Sequence, residues 1–349
     1  WARTDFEVAY AQDVVVRPGA SLAPNSPSIL LAGAPGEEPP VALVEDLKVV
    51  NGIHNVGVHG DGFSALFSKL AGGLQSYRFG GGPEGGQELL TAVPMPNFWH
   101  APTDNSEGWG GPAEDGQWLL ASRYAIAEKG PDQPIVTTSD EGVEVTFDYL
   151  LPTTPPSKCK VTYLVTASGR VQVTMHLDPG EGLGPAPEFG MLFRTLGSFN
   201  HLTWYGEGRE ESSVDRRLGA RLGIYQAPVD RQLTPYLRLQ EAGNHTGVRW
   251  AKVTDTRGAG LMFDYQQSQN PDSVHNPSGG MDFSALPWSP FEIENADHHH
   301  QLPPSRGTFV RPALMRRGVG GDDTWGSRPH PEYLLPQGPL TFTFAFRGI

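Results

Sequence analysis

Hydrophobic and polar residues alternate along short segments from about residue 46 to the end of the chain. The alternation is clearest where Val143, Val145 and Phe147 interleave with polar residues. A period of two places successive side chains on opposite faces of a β-strand. Such segments recur throughout this region and are separated by Gly-, Pro- and Asp-rich turns. The pattern predicts an all-β fold, a many-stranded sandwich of roughly 300 residues.

Four local patterns predict particular elements. They are a hairpin of residues 161–165 and 171–175 around Ser168-Gly169, a second hairpin of residues 248–253 and 260–265, a half-buried last strand at 342–346, and one short helix at 118–125.

Composition adds the domain organisation. The 43 Gly and 32 Pro disfavour long helices, and residues 17–45 are so rich in Pro, Gly, Ala and Ser that we interpret them as a linker. Residues 1–16 are predicted to form one or two strands without a nearby partner, and residues 46–349 are predicted to form the main domain.

Because the chain opens on Trp1, we expect it to be a piece of something longer. It lacks a signal-peptide pattern and an apolar run long enough for a membrane span, so we expect a cytoplasmic protein.

Charge and cysteine content exclude several classes of function. The formal net charge of −13 opposes phosphate and anionic lipid, so we expect no nucleic-acid and no membrane partner. Cys159 is the only cysteine, which excludes an internal disulfide framework and a thiolate metal cluster. The charge and the cysteine content do not exclude neutral ligands.

The histidine run His298-His299-His300 invites a metal interpretation. Neighbouring side chains on a strand or helix diverge, so three consecutive imidazoles do not converge on one ion in regular backbone. A polar loop is the favoured interpretation, and we expect no metal in this chain.

Carboxylates could in principle cleave a glycosidic bond as a pair. Spacing does not select two among the candidates, and no Gly-x-Ser-x-Gly elbow offers a serine nucleophile instead. The candidates are Asp104, Glu207, Glu210, Glu211, Asp215, Glu241, Asp322 and Asp323.

The segment 318–326, Gly-Val-Gly-Gly-Asp-Asp-Thr-Trp-Gly, is the most unusual of the chain. Its glycines permit tight turns, and Asp322 and Asp323 can accept hydrogen bonds from the loop's own amides. Trp325 is then either presented at the tip, where an indole can stack on a sugar, or packed as a cap on the sandwich core. Arg311, Arg316 and Arg317 are predicted to be surface partners of these acids.

Several ordered motifs resemble the C-terminal region of glycoside hydrolase family 2 β-galactosidases. They are Pro-Asn-Phe-Trp-His-Ala-Pro-Thr-Asp-Asn at 96–105, Trp-Tyr-Gly-Glu-Gly at 204–208 with Asp-Arg at 215–216, Tyr236 with Gln-Glu-Ala-Gly-Asn at 240–244, Phe-Ser-Ala-Leu-Pro at 283–287, and the glycine-rich segment 318–325. The resemblance extends from about residue 50 to the end.

The resemblance implies a large β-supersandwich similar to galactose mutarotases, with residues 1–16 as the last strand of a preceding immunoglobulin-like domain. In the family, both catalytic glutamates lie on a separate TIM barrel, so this chain is expected to be inactive alone. The counterpart of Trp325 reaches into that barrel as a stacking platform at the aglycone side, and Asp322 and Asp323 would shape its loop. The motifs offer four further site candidates, Asp104, Asn105, Glu241 and Asn244.

The resemblance also implies the partners and cofactors. The partners are the TIM barrel and preceding domains, on the same or another chain, within an oligomer acting on β-galactosides such as lactose. No cofactor is expected in this chain, although family enzymes often use Mg and Na at the barrel.

Five positions depart from the family pattern, which puts structural ion pairs and the exact substrate in question. They are His100 and Glu188 in place of Arg, Ser106 in place of Asp, Ser213 in place of Tyr, and Leu239 in place of Pro.

Two other functions stay open. An aldose 1-epimerase-like enzyme would need an acid and a base on one sheet face, for which His245 with Glu241 or His176 can be proposed. A stand-alone carbohydrate-binding module would bind galactose or lactose without a partner.

Overall fold

Three antiparallel sheets of five, ten and five strands make up most of the structure. The computed structural model describes residues 47–349 except 82–85, 131, 268–273, 275 and 324. The strand and linker predicted for residues 1–16 and 17–45 lie outside the described residues.

The first sheet is a meander in which each strand pairs with the next one in sequence. Its strands are β1 (Lys48–Asn51), β2 (Asn55–Gly60), β3 (Phe63–Ser68), β4 (Gly73–Phe79) and β5 (Gln87–Glu88).

The ten-stranded sheet has the order β14-β13-β16-β17-β20-β11-β10-β9-β7, with β8 also paired to β9. Its strands are β7 (Ile126–Ala127), β8 (Ile135–Ser139), β9 (Gly142–Leu151), β10 (Ser157–Val165), β11 (Val171–Asp178), β13 (His201–Gly208), β14 (Arg221–Pro228), β16 (Trp250–Thr254), β17 (Gly260–Gln266) and β20 (Leu340–Gly348).

The third sheet has the order β15-β18-β19-β12-β6. Its strands are β6 (Met95–Asn97), β12 (Glu188–Thr195), β15 (His245–Val248), β18 (Met281–Leu286) and β19 (Thr308–Arg316). The α-helices of the described residues are short: α1 (Asp104–Gly108), α2 (Gly111–Glu114), α3 (Gly116–Tyr124) and α4 (Pro290–Glu294). None of them is long and apolar enough to cross a membrane.

Both smaller sheets pack against the same face of the large one. The ring of Phe346 on β20 lies 5.4 Å from Tyr77 of the first sheet and 5.3 Å from Phe193 of the third. Phe67 continues this layer, with its ring 5.3 Å from Tyr163. Each such buried aromatic side chain contributes roughly 1.5–3 kcal/mol through the burial of apolar surface.

The structure confirms the all-β sandwich and three of the four local predictions. β10 and β11 form the first hairpin, α3 is the short helix, and the aromatic side chains of β20 are buried while Thr341, Thr343 and Arg347 between and beside them are partly exposed.

The second predicted hairpin is correct only from Trp250 onward. Residues 245–248 belong to β15 in the third sheet, where Val248 pairs with Met281. Between the two strands, the amide of Arg249 donates to the carbonyl of Tyr205. The chain therefore changes sheets within an apolar run that looks continuous in the sequence.

Candidate functional site

The glycine-rich segment forms a surface loop that joins β19 to the last part of the chain. We call residues 318–330 the Trp325 loop; Thr324 is the residue of this loop that the structure does not describe. The side chain of Trp325 is 88% exposed. The indole therefore does not cap the sandwich core in this structure.

Hydrogen bonds within the loop surround the indole. A carboxylate oxygen of Asp323 accepts the amide of Trp325 at 2.8 Å and that of Ser327 at 3.3 Å. These amides, that of Trp325 foremost, lower the pKa of Asp323. Asp322 contacts His330 at 2.7 Å, and this contact is the main cause of a raised pKa of His330. Both acids thus have partners inside the loop.

The base of the loop is attached to the body by backbone and side-chain contacts. The amide of Gly318 donates to the carbonyl of Tyr333 and that of Gly320 to Asp215, both at 2.8 Å. Arg328 makes two hydrogen bonds to the carboxylate of Glu114. These contacts limit where the indole can move.

Helix α1 braces the other side of the loop. Thr103 and Ser106 form a reciprocal cap, with the amide of Ser106 donating to the hydroxyl of Thr103 at 3.1 Å. The side-chain NH₂ group of Asn105 then donates to the carbonyl of Ser327 at 2.8 Å. A capped first turn fixes the direction of the following side chains. Asn105 is therefore held where it can bind the loop.

The segment 236–244 packs against the outer side of α1. The side chain of Gln240 donates to Asp104 at 2.9 Å, and Arg238 pairs with Glu107. Beneath them, a small apolar cluster anchors the segment to the third sheet; it includes Leu239, Ala242, Leu286 and Ile293. The Trp325 loop and segment 236–244, which are distant in sequence, thus both contact α1.

A buried network of ion pairs lies below this surface. Glu188 contacts Arg311 at 3.1 Å and Arg316 at 2.6 Å, and Glu241 contacts the same two guanidinium groups at 2.5 and 3.3 Å. Burial alone would raise the pKa of Glu241, but the two arginine charges outweigh it and hold the pKa below its usual value. Asn244 accepts a hydrogen bond from Arg316 at 2.7 Å.

The prediction that Arg311, Arg316 and Arg317 are surface partners of Asp322 and Asp323 is wrong. All three are buried. Arg311 and Arg316 lie on β19, whose two faces are both covered, and Arg317 pairs with Asp115 at 2.5 Å. Glu188 and Glu241 together supply the negative charge that the buried guanidinium groups of Arg311 and Arg316 require.

The four further candidates fall into two groups. Asp104 and Asn105 lie at the surface beside the Trp325 loop, whereas Glu241 and Asn244 are buried in the network. Sequence reasoning missed Arg238 as the residue that links segment 236–244 to α1. No local signal marks it, since its partner Glu107 is 131 residues away in the chain.

Other carboxylates considered for catalysis serve as structural partners. Glu207 pairs with Arg217, and Glu211 accepts the hydroxyl of Thr234 and the amide of Gly243, both at 2.7 Å. Asp215 holds Gly320, as described above. These bonds tie loops together within the chain.

The epimerase residues do not share a face. His245 is buried, stacks on Trp204 with ring centroids 4.0 Å apart, and has its pKa lowered to about 3 by burial. His176 is exposed on β11 in a different sheet, and the carboxylate of Glu241 is paired with Arg311 and Arg316. Nothing in this geometry pairs an acid with a base.

The histidine run lies at the surface, as expected, but His299 and His300 belong to a short 3-10 helix (His299–Gln301) and not to an irregular loop. His298 contacts the carbonyl of Leu237 at 3.0 Å and His299 that of Tyr236 at 3.2 Å. Within the described part of the chain, no three His, Cys, Asp or Glu side chains are grouped as metal ligands would be.

Comparison with known proteins shows which family shares the part of the chain that forms this site. The family model described as "Beta galactosidase small chain" matches residues 59–347, a span that contains α1, the buried network and the Trp325 loop. The chain belongs to the β-galactosidase small-chain family. The family resemblance seen in the motifs is thereby confirmed.

Individual relatives of this small-chain domain differ in length. It is 35% identical to a β-galactosidase of Priestia megaterium over 96% of the chain but only 29% of that protein. It is 31% identical to the β-galactosidase small subunit of Latilactobacillus sakei over 83% of the chain and 93% of that subunit. Among solved structures, a putative aldose 1-epimerase from Escherichia coli K12 matches with a TM-score of 0.44 and 12% identity, over 87% of this chain and 99% of the other.

Proposed function

We propose that this chain completes the active site of a β-galactosidase whose catalytic glutamates lie on a separate barrel. The chain would be either the C-terminal part of that enzyme or its small subunit. The reaction it assists is retaining hydrolysis of terminal β-galactosides such as lactose. The indole of Trp325 would supply a stacking surface for the sugar at the aglycone side.

One observation carries the proposal: a large indole stands in solvent on a loop that is braced from both sides. Leaving a tryptophan exposed forfeits the apolar burial that a core position would give. The loop is nevertheless held by Asp323 within it, by Asn105 from α1 and by Asp215 at its base. An ordered, exposed aromatic side chain is typical of a surface that binds a ligand or a partner.

The surroundings of Trp325 suit a face that meets a second domain. Leu237 is 91% exposed on the segment that packs on α1. Charged side chains that pair with one another lie close by, Arg238 with Glu107 and Arg328 with Glu114. An apolar anchor with a charged rim is common at interfaces between proteins or domains. We propose that the catalytic barrel docks here.

The division of labour can be tested by reconstitution. Hydrolysis of a chromogenic β-galactoside would be measured with the purified chain, with its barrel-bearing counterpart, and with both together. The counterpart is the large subunit or, in a single polypeptide, the residues that precede this chain. We expect activity in the mixture and none from this chain. Hydrolysis by the purified chain alone would overturn the proposal.

The same preparation separates the epimerase alternative. Because His245, Glu241 and His176 are dispersed, the chain should not accelerate the mutarotation of α-galactose followed by optical rotation. An acceleration that is proportional to protein concentration would contradict the proposal and favour a free-standing epimerase.

A further inference from the structure

A groove lies near the beginning of β19, at the opposite end of this strand from the Trp325 loop. Its volume is about 450 Å³, and its lining includes Arg123, Phe291, Glu292, Asn295, Gln301 and Phe309. Phe309 and Arg317 are eight positions apart along the strand direction, which corresponds to roughly 26 Å. The groove is therefore separate from the surface that carries Trp325. Its volume falls in the range of about 300–1,000 Å³ that is usual for small-molecule sites.

Two half-buried phenylalanine rings give the groove an ordered apolar lining. The guanidinium group of Arg123 lies 5.1 Å from the ring centre of Phe291, and that of Arg194 lies 5.6 Å from the ring centre of Phe309. A cation over an aromatic face is attractive and restrains both partners. The rings are thus held in place without filling the groove.

Hydrogen-bonding groups in the groove remain available. Among the described residues, the guanidinium group of Arg123 makes no hydrogen bond, although its charge acts on the nearby Glu294, whose carboxylate accepts the indole N–H of Trp99 at 2.8 Å. The side-chain oxygen of Gln301 accepts the amide of His298, which leaves its NH₂ group as a donor. The groove therefore offers several unused donors.

Acceptors are available in the same groove. One carboxylate oxygen of Glu292 takes the amide and hydroxyl of Ser289, both at 2.8 Å, and the other has no partner among the described residues. The NH₂ group of Asn295 donates to the carbonyl of Phe291, so its side-chain oxygen is an unused acceptor. Donors and acceptors thus line the groove together.

We propose that this groove is a second saccharide site, which binds one hexose unit of a neutral sugar. A hydroxyl group both donates and accepts, so a polyol matches the mixed set of partners. The C–H face of a hexose can lie on the phenylalanine rings. An anionic ligand would meet the carboxylate of Glu292, and an apolar ligand would leave the polar groups unpaired. The site requires neither Trp325 nor the barrel.

Trp288 provides a local reporter of binding. Its indole N–H donates to the carbonyl of Pro303 at 2.8 Å, and Pro303 lines the groove. In ¹H–¹⁵N spectra of the full chain, the Trp288 indole signal, assigned with Trp288→Phe, should shift saturably as lactose is added. Trp325→Ala should leave this titration unchanged.

Arg123→Met tests the mechanism, because it keeps a long unbranched side chain at this position and removes the guanidinium group that supplies the donors. We expect it to weaken lactose binding by about fivefold or more, since hydrogen bonds from a charged donor are among the stronger ones. Arg257→Met, which changes an exposed arginine that does not line the groove, is the matched control and should have no effect.

Three outcomes would overturn the second site. They are no saturable shift of the Trp288 signal, an equal shift in Arg123→Met, and a shift produced by glucuronate but not by lactose. A shift of the Trp325 signal alone would also exclude the groove while leaving the proposed role of Trp325 intact.

Discussion

The backbones of Gly326 and Gly108 touch, with no room for a side chain between them. A β-carbon built on Gly326 would lie 2.6 Å from the carbonyl carbon of Gly108, and φ at Gly326 is +106°. Glycine is thus required twice over, by the backbone angle and by the close approach. The contact fixes the height of the Trp325 loop above α1.

Gly326→Ala should therefore displace the indole. We expect the Michaelis constant for lactose to rise in the complete enzyme, in the same direction as in Trp325→Ala. Gly338→Ala is the matched control, since φ there is +105° and no atom lies within 4 Å of the added carbon. Both variants carry a similar backbone cost of about 1–2 kcal/mol. Equal Michaelis constants in the two variants would contradict the positioning role of the contact.

The pair of Asp322 and His330 makes the loop sensitive to pH. The hydrogen bond and charge of Asp322 are the main causes of the raised pKa of His330, and Glu332 adds to them. A raised pKa means that the pair stabilises the loop at low pH and that this contribution is lost as pH rises through the pKa of His330.

Asp322→Asn should lower the pKa of His330 toward its ordinary value, as measured by an NMR titration of its ring protons. Glu332→Gln should lower this pKa less, because Glu332 lies 3.7 Å from the ring compared with 2.7 Å for Asp322. A larger effect of Glu332→Gln would show that the contact with Asp322 does not form.

Much of the fold could be predicted from the sequence, because buried and exposed residues alternate along many of its strands. In β9, Val143, Val145 and Phe147 face the core while alternate residues are partly exposed, and β20 shows the same alternation except at Ala345, which is also buried. Only one face of these strands is covered, so the polarity of each residue indicates whether its side chain points to the core or to solvent.

The buried network could not be predicted in this way. β19 is covered on both faces, and its arginines are neutralised by Glu188 and Glu241 from distant parts of the chain. Local alternation says nothing about such partners, so Arg311 looked like a surface residue in the sequence.

The site was predictable in part. The glycines, acids and tryptophan of the loop are visible as a motif, but its attachment to α1 is not. Asn105 and Ser327 are 222 residues apart, and only the fold brings them into contact.

Removal of charge from the network should be costly. Glu188→Gln leaves Arg311 and Arg316 with one carboxylate between them, so we expect the free energy of unfolding to fall by about 3–5 kcal/mol. Urea denaturation measures this change. Arg257→Met removes an exposed guanidinium group from its pair with Asp255 and should cost less than about 1 kcal/mol. A loss of less than about 1 kcal/mol in Glu188→Gln would mean that the network is not balanced by Glu188.

The central claim is that the exposed indole of Trp325 contacts the sugar at the aglycone side. The most direct test is steady-state kinetics of Trp325→Ala in the complete enzyme, with lactose as substrate and glucose as galactosyl acceptor. Stacking is worth about 0.5–1.5 kcal/mol, so we expect the Michaelis constant to rise roughly two- to tenfold. Transfer to glucose should fall more than the rate of bond cleavage, and Trp325→Phe should restore most of both. An unchanged Michaelis constant together with unchanged transfer would contradict the claim.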